Sequence, residues 1–368
     1  MKKRTDGRYC KQIQVGYHPD GRRKMKTIYG KTIKEVEKRE REIKGQMDCG
    51  IKIFDDMTVG EWAKIWLDTF KTNIAHNTHV RYENIVEKYV VKTMGHLPLA
   101  QVSVGTIQIL INQLKGELAP ATIKKIKDVL HQIFKQAVRA QYIVTNPVDG
   151  VDIPKLTQQD RTPIPDSHIQ TLTNFCEYFQ HGNLIMTLLY TGMRRGEILA
   201  LTVEDIDFQN KTIVVNKAVE FLDNTPHIKP PKTRKGTRII PILDVLIPYL
   251  QSAIQNKSEK DVVFDNGHGE MFTKSSINRL IKRFNEQYNR YLSAVHKVNF
   301  TMHQFRHTFC TMLYNAGVDV KAAQEILGHS TINITLDIYT HLNEKQKNIN
   351  TNKLNEYISN NRQLTTAC

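Results

Sequence analysis

The sequence predicts an α+β chain of several domains: a small N-terminal β-sheet with one helix, an all-α domain, and a mainly α domain carrying an inserted small antiparallel sheet. Three observations lead there. A chain of 368 residues is too long for one ordinary core, so two or three domains are expected. Within the first fifty residues apolar and polar positions alternate up to Tyr29 and a short charged helical pattern follows, the signature of paired strands and a helix. From Thr58 onward apolar residues recur at helical spacing, with strand-like runs at Thr212–Val219 and Thr237–Ile242.

Arg8–Gly16 carries Tyr9, Ile13 and Val15 in alternation, His18–Gly21 makes a turn, and Arg22–Tyr29 alternates again. This is a hairpin with its basic residues expected on the outward face. Thr32–Lys44 reads as a charged helix with Ile33, Val36 and Ile43 as a thin apolar stripe, and Gly50–Asp56 as a linker. Thr58-Val59-Gly60-Glu61 is a capping box opening a helix through Phe70, with Trp62, Ile65 and Trp66 on its buried side. Further helices are expected at Asn77–Thr93, Ser103–Lys115 and Pro120–Ala140, the last stopped by Thr145-Asn146-Pro147. Asp152–Pro165, with three prolines, is the expected hinge. Beyond it, helices are predicted at Ser167–Tyr178, Leu184–Tyr190, Arg194–Leu201, Asp244–Gln255, Ser275–Tyr288, Gln304–Ala316, Val320–Leu327 and Ile332–Ile338. Between the two strand runs lies a proline-broken basic loop, His227–Gly236, and Glu344–Ile358 is a polar helix with few apolar anchors.

Composition narrows the function. Lysine and arginine number 52 against 37 acidic residues, a net charge of +15, and the pI is about 9.4. Residues 1–50 hold fifteen of the basic and seven of the acidic residues, so +8 lies in the first seventh of the chain. Such concentration points to a polyanionic partner. The mean hydropathy of −0.44, and no apolar run near the ~20 residues of a membrane span, argue against a membrane protein. The basic N-terminus lacks an apolar stretch behind it, so secretion is not expected. Five scattered cysteines without a C-x-x-C pair suggest neither zinc nor a disulfide framework, and read as reduced cytosolic thiols. No H-E-x-x-H, Walker loop or carboxylate cluster for paired magnesium ions is present.

The reactive groups gather between Thr301 and His341. His303 and Arg306, three apart, share a helical face and can reach one anion. Gly328 stops the helix that ends at Leu327 and leaves His329 on the turn, and Tyr339 follows ten residues later. Each piece alone has an ordinary use as a surface pair, a helix cap or a core tyrosine. Upstream, Arg194 follows the apolar run Leu184–Tyr190, where it could meet Arg306, and Glu197 three residues on shares its helical face.

Five boxes carry a resemblance: TGMRRGE (191–197), PKTRKGTR (231–238), HQFRHT (303–308), LGHS (327–330) and DIYTH (337–341). In order and spacing this set resembles the tyrosine recombinase (phage integrase) family, with Phe305 where leucine is commoner. The resemblance implies DNA cutting and rejoining through a 3′-phosphotyrosyl intermediate and a Holliday junction, without cofactor or metal. It implies a paired clamp from Arg194 and Arg306, Glu197 supporting it, His303 helping to deprotonate Tyr339, the nucleophile, and His329 as a second phosphate donor. Lys232 resembles the lysine that protonates the leaving 5′-oxygen, with Lys229 and Lys235 flanking it as alternatives. Both arginines are expected to act on charge rather than on folding.

The layout is similar to integrases of phages and conjugative transposons. It implies an arm-type DNA-binding domain at 1–52 (a three-stranded sheet plus helix), a core-binding domain at 56–150, a linker at 151–165, a catalytic domain at 166–342 and a tail at 343–368 that contacts another protomer. The implied partners are double-stranded DNA at core and arm sites, a homotetramer on paired sites, an excisionase and a host DNA-bending protein. The expected location is the cytoplasm, at the nucleoid. A chromosome or plasmid dimer resolvase has the same chemistry but lacks the arm domain. A type IB topoisomerase and an inactive DNA-binding regulator are the remaining alternatives, the last disfavoured by intact boxes.

Overall fold

The computed structural model of the chain describes residues 2–17, 22–48, 57–155, 163–231, 236–292 and 297–345. The alternating N-terminal runs form β2 (Tyr9–Tyr17) and β3 (Arg23–Gly30), and β1 (Lys2–Lys3) adds a short antiparallel third strand in the order β1-β2-β3. A bulge between Gln14 and Gly16 shifts the register, which sharpens the local twist. Helix α1 (Ile33–Asp48) covers one face, where Val36 packs with Ile13, Val15 and Ile28. Two expectations need correction. Ile33 is 45% exposed, because the stripe continues through Ile43 to Met47 instead. The basic residues divide between the faces rather than all lying outward: Lys11 turns towards α1 and pairs with Glu40 at 2.6 Å, while Arg4 and Arg8 lie over the Tyr29 ring at 5.5 and 5.6 Å. By strand parity the outward positions include Cys10 opposite Tyr29, Gln12 opposite Thr27 and Gln14 opposite Met25. The turn at 18–21 and the linker at 50–56 lie outside the described residues.

The helical region comprises α2 (Val59–Phe70), α3 (His76–Ile85), α4 (Lys92–Met94), α5 (Val104–Leu114) and α6 (Pro120–Arg139). Thr58 caps α2 and Glu61 reaches back to its amide at 2.9 Å, the reciprocal pair the sequence announces. Ile65, expected on the buried side, is 38% exposed; Val59, Ala63 and Leu67 join the two tryptophans there. The single helix expected at 77–93 is interrupted by a wide π-turn over Val86–Val91, which keeps Val86 and Val90 both buried. Helix α6 presents seven buried side chains, from Ile123 to Ala137, as the spine of this core. At ~1.5–3 kcal/mol for each large apolar side chain, that stripe dominates local stability.

The chain divides into two units, Met1–Gln159 and Asp160–Cys368. The expected hinge, Asp152–Pro165, lies only partly within the described residues. Val151 belongs to the helical core and Ile164 to the core of the second unit, where its amide donates to Thr308 Oγ1 at 2.9 Å. Residues 156–162 lie outside the described set.

In the second unit, α7 (Asp166–Tyr178), α8 (Gly182–Thr191) and α9 (Arg195–Ala200) come first. Helix α8 is buried nearly all round, as its unbroken apolar run requires. The one strand expected at 212–219 is two, β5 (Thr212–Val215) and β6 (Ala218–Leu222), in different sheets. The break falls at Asn216-Lys217, where Lys217 turns to Asp205 at 2.9 Å. One antiparallel sheet has the order β4 (Ile206–Asp207), β5, β8 (Arg238–Pro241); the other pairs β6 with β7 (Thr225–Lys229). Residues 227–229, read as loop, thus belong to a strand. Helices α10 (Ile247–Ile254), α11 (Lys274–Tyr291), α12 (Met302–Asn315), α13 (Val320–Leu327) and α14 (Ile332–Lys345) complete it. Phe305, the unusual residue of its box, is fully buried and meets Phe284 and Phe300 with ring centroids 6.4 and 5.8 Å away.

Among the described residues no helix is long and apolar enough to cross a membrane.

Candidate active site

Three helix ends meet around one carboxylate. Helix α8 ends at Gly192, in the left-handed region at φ 59°. A Cβ there would lie 2.7 Å from Phe309 and 3.0 Å from Leu327, so conformation and space both demand glycine. Helix α13 ends at Gly328, also left-handed at φ 66°, with Arg238 where a Cβ would project. Arg306, on α12 and 4% exposed, spans these two ends: Nη1 donates to Gly192 O at 2.8 Å and Nη2 to Leu327 O at 2.6 Å. A cation between two helix C-termini is favoured by their aligned carbonyl dipoles. Burial, then the neighbouring Arg194, draws its pKa down to about 9, which leaves it cationic at neutral pH.

Arg194 is the residue before α9, not part of it, which corrects the shared-face expectation. Glu197 instead reaches back: its Oε2 accepts from the Arg194 amide at 2.8 Å and its Oε1 from Arg194 Nη1 at 2.7 Å. Arg194 Nη2 donates to Gly328 O at 2.6 Å, while its side chain stays 43% exposed. Glu197 also receives both terminal nitrogens of Arg238, at 3.1 and 2.8 Å. Burial opposes the charge, but the pair with Arg238 and then the bonds to Arg194 hold its carboxyl at about 2.

His329 is 7% exposed, its Nδ1 lies 2.7 Å from Thr335 Oγ1, and its backbone is tied to Gln324 in both directions. Burial, with Arg306, Arg194, Arg238 and His303 around it, lowers its pKa to about 3. It is therefore a neutral imidazole at physiological pH. His303 sits exposed in the first turn of α12, beside a cleft of about 680 Å³ that Arg195, Lys282 and Lys297 also line. Two asparagines on α11, one turn apart, set the approach to it. Asn289 exchanges two hydrogen bonds with the backbone of Val298, and Asn285 two with that of Phe300. The amides act as a two-rung strand that aims the chain into α12.

Arg194, Glu197, Arg306 and His329 are thus brought together, with His303 near enough for its charge to act on His329. Tyr339 is not in this group. It is 4% exposed, packs edge-to-face on Tyr314 at 5.0 Å, and donates its hydroxyl to Val318 O at 3.2 Å. Burial, with Cys310, Asp319 and Tyr314 as neighbours, pushes its pKa up to about 12. Lys232 and Lys235 lie outside the described residues. Lys229 ends β7 and pairs with Glu220 at 2.5 Å.

Sequence reasoning missed Arg238 and Thr335. Arg238 had a signal: in the strand Arg238–Pro241 it shares parity with the buried Ile240 and Ile242, and an arginine so placed must be paired. Thr335 had none.

Residues 164–346 match the profile of the Phage integrase family and residues 59–152 that of the Phage integrase central domain. A tyrosine recombinase XerC-like protein of Caldanaerobacter subterraneus is 29% identical, over 95% of this chain and 96% of its own length. The transposase from transposon Tn916 of Enterococcus faecalis is 30% identical over 63% of this chain and 61% of its own. Among solved structures, the Tn1549 transposon integrase in complex with a circular intermediate DNA superposes with a TM-score of 0.70 at 28% identity, covering 77% of this chain and 95% of that one. A lambda integrase tetramer bound to a Holliday junction has a TM-score of 0.60 at 16% identity, covering 92% and 93%; it shares the fold.

Proposed function

Because the chain belongs to the tyrosine recombinase (phage integrase) family of DNA cutting and rejoining enzymes that carry out site-specific recombination, we propose that it is the integrase of a mobile element, inserting and excising that element. The observation that carries this is the basic sheet-and-helix module ahead of α2, together with likeness to the Tn916 transposase and the Tn1549 integrase.

In the proposed reaction Arg194 and Arg306 receive the two non-bridging oxygens of a DNA phosphate. Planar guanidinium forks suit that geometry and keep their charge. Glu197 holds Arg194 in position. His329, with Thr335 donating to Nδ1, offers Nε2–H to the same phosphate. The Tyr339 hydroxyl, whose proton passes to His303, attacks phosphorus and displaces the 5′-oxygen, which takes a proton from Lys232. The lysine bound to Glu220, Lys229, is the weaker alternative, since its ammonium already has a partner. The phosphotyrosyl ester conserves the bond, and a 5′-hydroxyl from a second duplex reverses the step, so no nucleotide or metal is required. For attack, Tyr339 must leave Val318. Core-type sites engage the helical and catalytic domains, arm-type sites the N-terminal module, and exchange proceeds in a homotetramer through a Holliday junction. An excisionase and a host DNA-bending protein set direction, and the tail after Asn343 joins protomers. The place of action on this reading is the cytoplasm, at the nucleoid.

The second reading, a dimer resolvase, draws on the XerC-like relative that spans nearly the whole chain. A plasmid recombination assay separates the two. An integrase joins the element's ends to a target and requires sequence flanking the core sites. A resolvase resolves directly repeated core sites without flanks, and that outcome would overturn the proposal.

A further inference from the structure

Arg194 has two side-chain anchors, the Glu197 carboxylate and the Gly328 carbonyl, and one residue binds the first and packs beside the glycine that supplies the second. Arg238, 8% exposed on β8, fastens Glu197 through two nitrogens and sends Nε to Ile326 O at 2.8 Å. Its Cδ lies where a Cβ on Gly328 would come within 2.9 Å, so the arginine stem backs directly onto the residue whose carbonyl receives Arg194. The Glu197 carboxylate is saturated: Oε1 accepts from Arg194 Nη1 and Arg238 Nη1, Oε2 from the Arg194 amide and Arg238 Nη2. Without Arg238, half of those donors vanish and the carboxylate can rotate, carrying the Arg194 guanidinium with it. Arg238 itself has its nitrogens engaged, Nη1 reaching Gly236 O at 3.4 Å as well, so it does not serve as a third phosphate ligand.

We propose that Arg238 is a positioning residue for strand cleavage: it fixes the Glu197 carboxylate and the end of α13, and through them the direction in which Arg194 meets the DNA phosphate. The inference rests on the arginine-clamp reading above. Only arginine fits the place, because a fork for the carboxylate and a side-directed Nε–H for Ile326 must come from one rigid plane. The strong depression of the Glu197 carboxyl, in which Arg238 outweighs Arg194, agrees with this division of labour.

The test compares full-length Arg238→Lys, Arg194→Lys and the double variant on a nicked core-type duplex, measuring DNA binding and single-turnover cleavage separately. Folding is followed by thermal melting. Arg238→Lys should bind DNA within about twofold of the parent and cleave about 10- to 100-fold more slowly, the usual cost of losing a group that orients another. The double variant should be no slower than Arg194→Lys alone, because both act through one guanidinium. A methylphosphonate at the scissile position, which lacks one non-bridging charge, should narrow the deficit of Arg238→Lys and that of Arg194→Lys alike. If Arg238→Lys does not fold, Glu197→Gln breaks the same pair from the other side and carries the same predictions. Cleavage at the parent rate, losses that multiply in the double variant, or a deficit untouched by methylphosphonate would overturn the inference while leaving the clamp standing. Parent-like cleavage by Arg194→Lys would overturn both.

Discussion

Arg306 and Arg194 enter one cluster with unequal exposure, and that separates what their substitution does. Arg306 is buried between the ends of α8 and α13, so Arg306→Lys should lower the melting temperature as well as cleavage. Each carbonyl left without a donor costs about 1–3 kcal/mol. Arg194→Lys, at the half-open position, should lose cleavage with a smaller fall in melting temperature, since one carbonyl, that of Gly328, loses its donor rather than two. The expectation that both arginines act on charge rather than on folding therefore fits Arg194 better than Arg306. Acid sensitivity follows from two neighbours. The Glu197 carboxyl, at about 2 against an ordinary 4.5, stabilises the native state fully above 4.5 and loses that contribution as pH falls towards 2. The His329 imidazole, at about 3 against 6.5, favours the native state above 6.5 and turns against it as pH falls towards 3. Melting temperature measured against pH should thus decline from about 6.5 downward, and His329→Gln should flatten the segment above 4.5. The boxes made the ligands legible one by one. That Glu197 serves two arginines was not legible, since Arg238 is 41 residues away and pairing at such a distance is set by the fold.

Helix ends and local caps were the readable elements. Thr58 with Glu61 and Gly328 after Leu327 each announce themselves within four residues, because the partners that satisfy a helix end lie close in sequence. Strand identity was not readable in the same way. The run at 212–219 looks continuous, yet its halves pair with β8 and β7 respectively. The approach to α12 depends on Asn285 and Asn289, whose amides replace a strand partner that no local pattern predicts. Asn285→Leu should cost on the order of 1–3 kcal/mol by orphaning the Phe300 amide and carbonyl, read as a lower midpoint in urea unfolding. It should also slow cleavage, because His303 follows three residues later.

For the whole molecule, the charge of +15 makes DNA affinity fall steeply with salt. The outward Gln12, Gln14 and Thr27 are side chains of the kind that read base edges, so on the arm-site proposal Gln12→Ala should reduce preference for flanking sequence more than it reduces affinity for random duplex. The largest rearrangement that cleavage requires concerns Tyr339, which is held against Val318 and Tyr314 rather than beside the arginines. The sequence spacing placed the tyrosine near the cluster along the chain, but its side-chain direction depends on how α14 packs against α12 and α13. The most direct measurement incubates the full chain with a nicked core-type duplex that loses its short 5′-hydroxyl strand on cleavage, then maps the DNA-linked peptide by mass spectrometry. With Tyr339 as the nucleophile, one phosphotyrosyl peptide is expected, containing Tyr339, and no covalent complex from Tyr339→Phe. A DNA adduct on Tyr314, or a covalent complex that persists in Tyr339→Phe, would contradict that assignment.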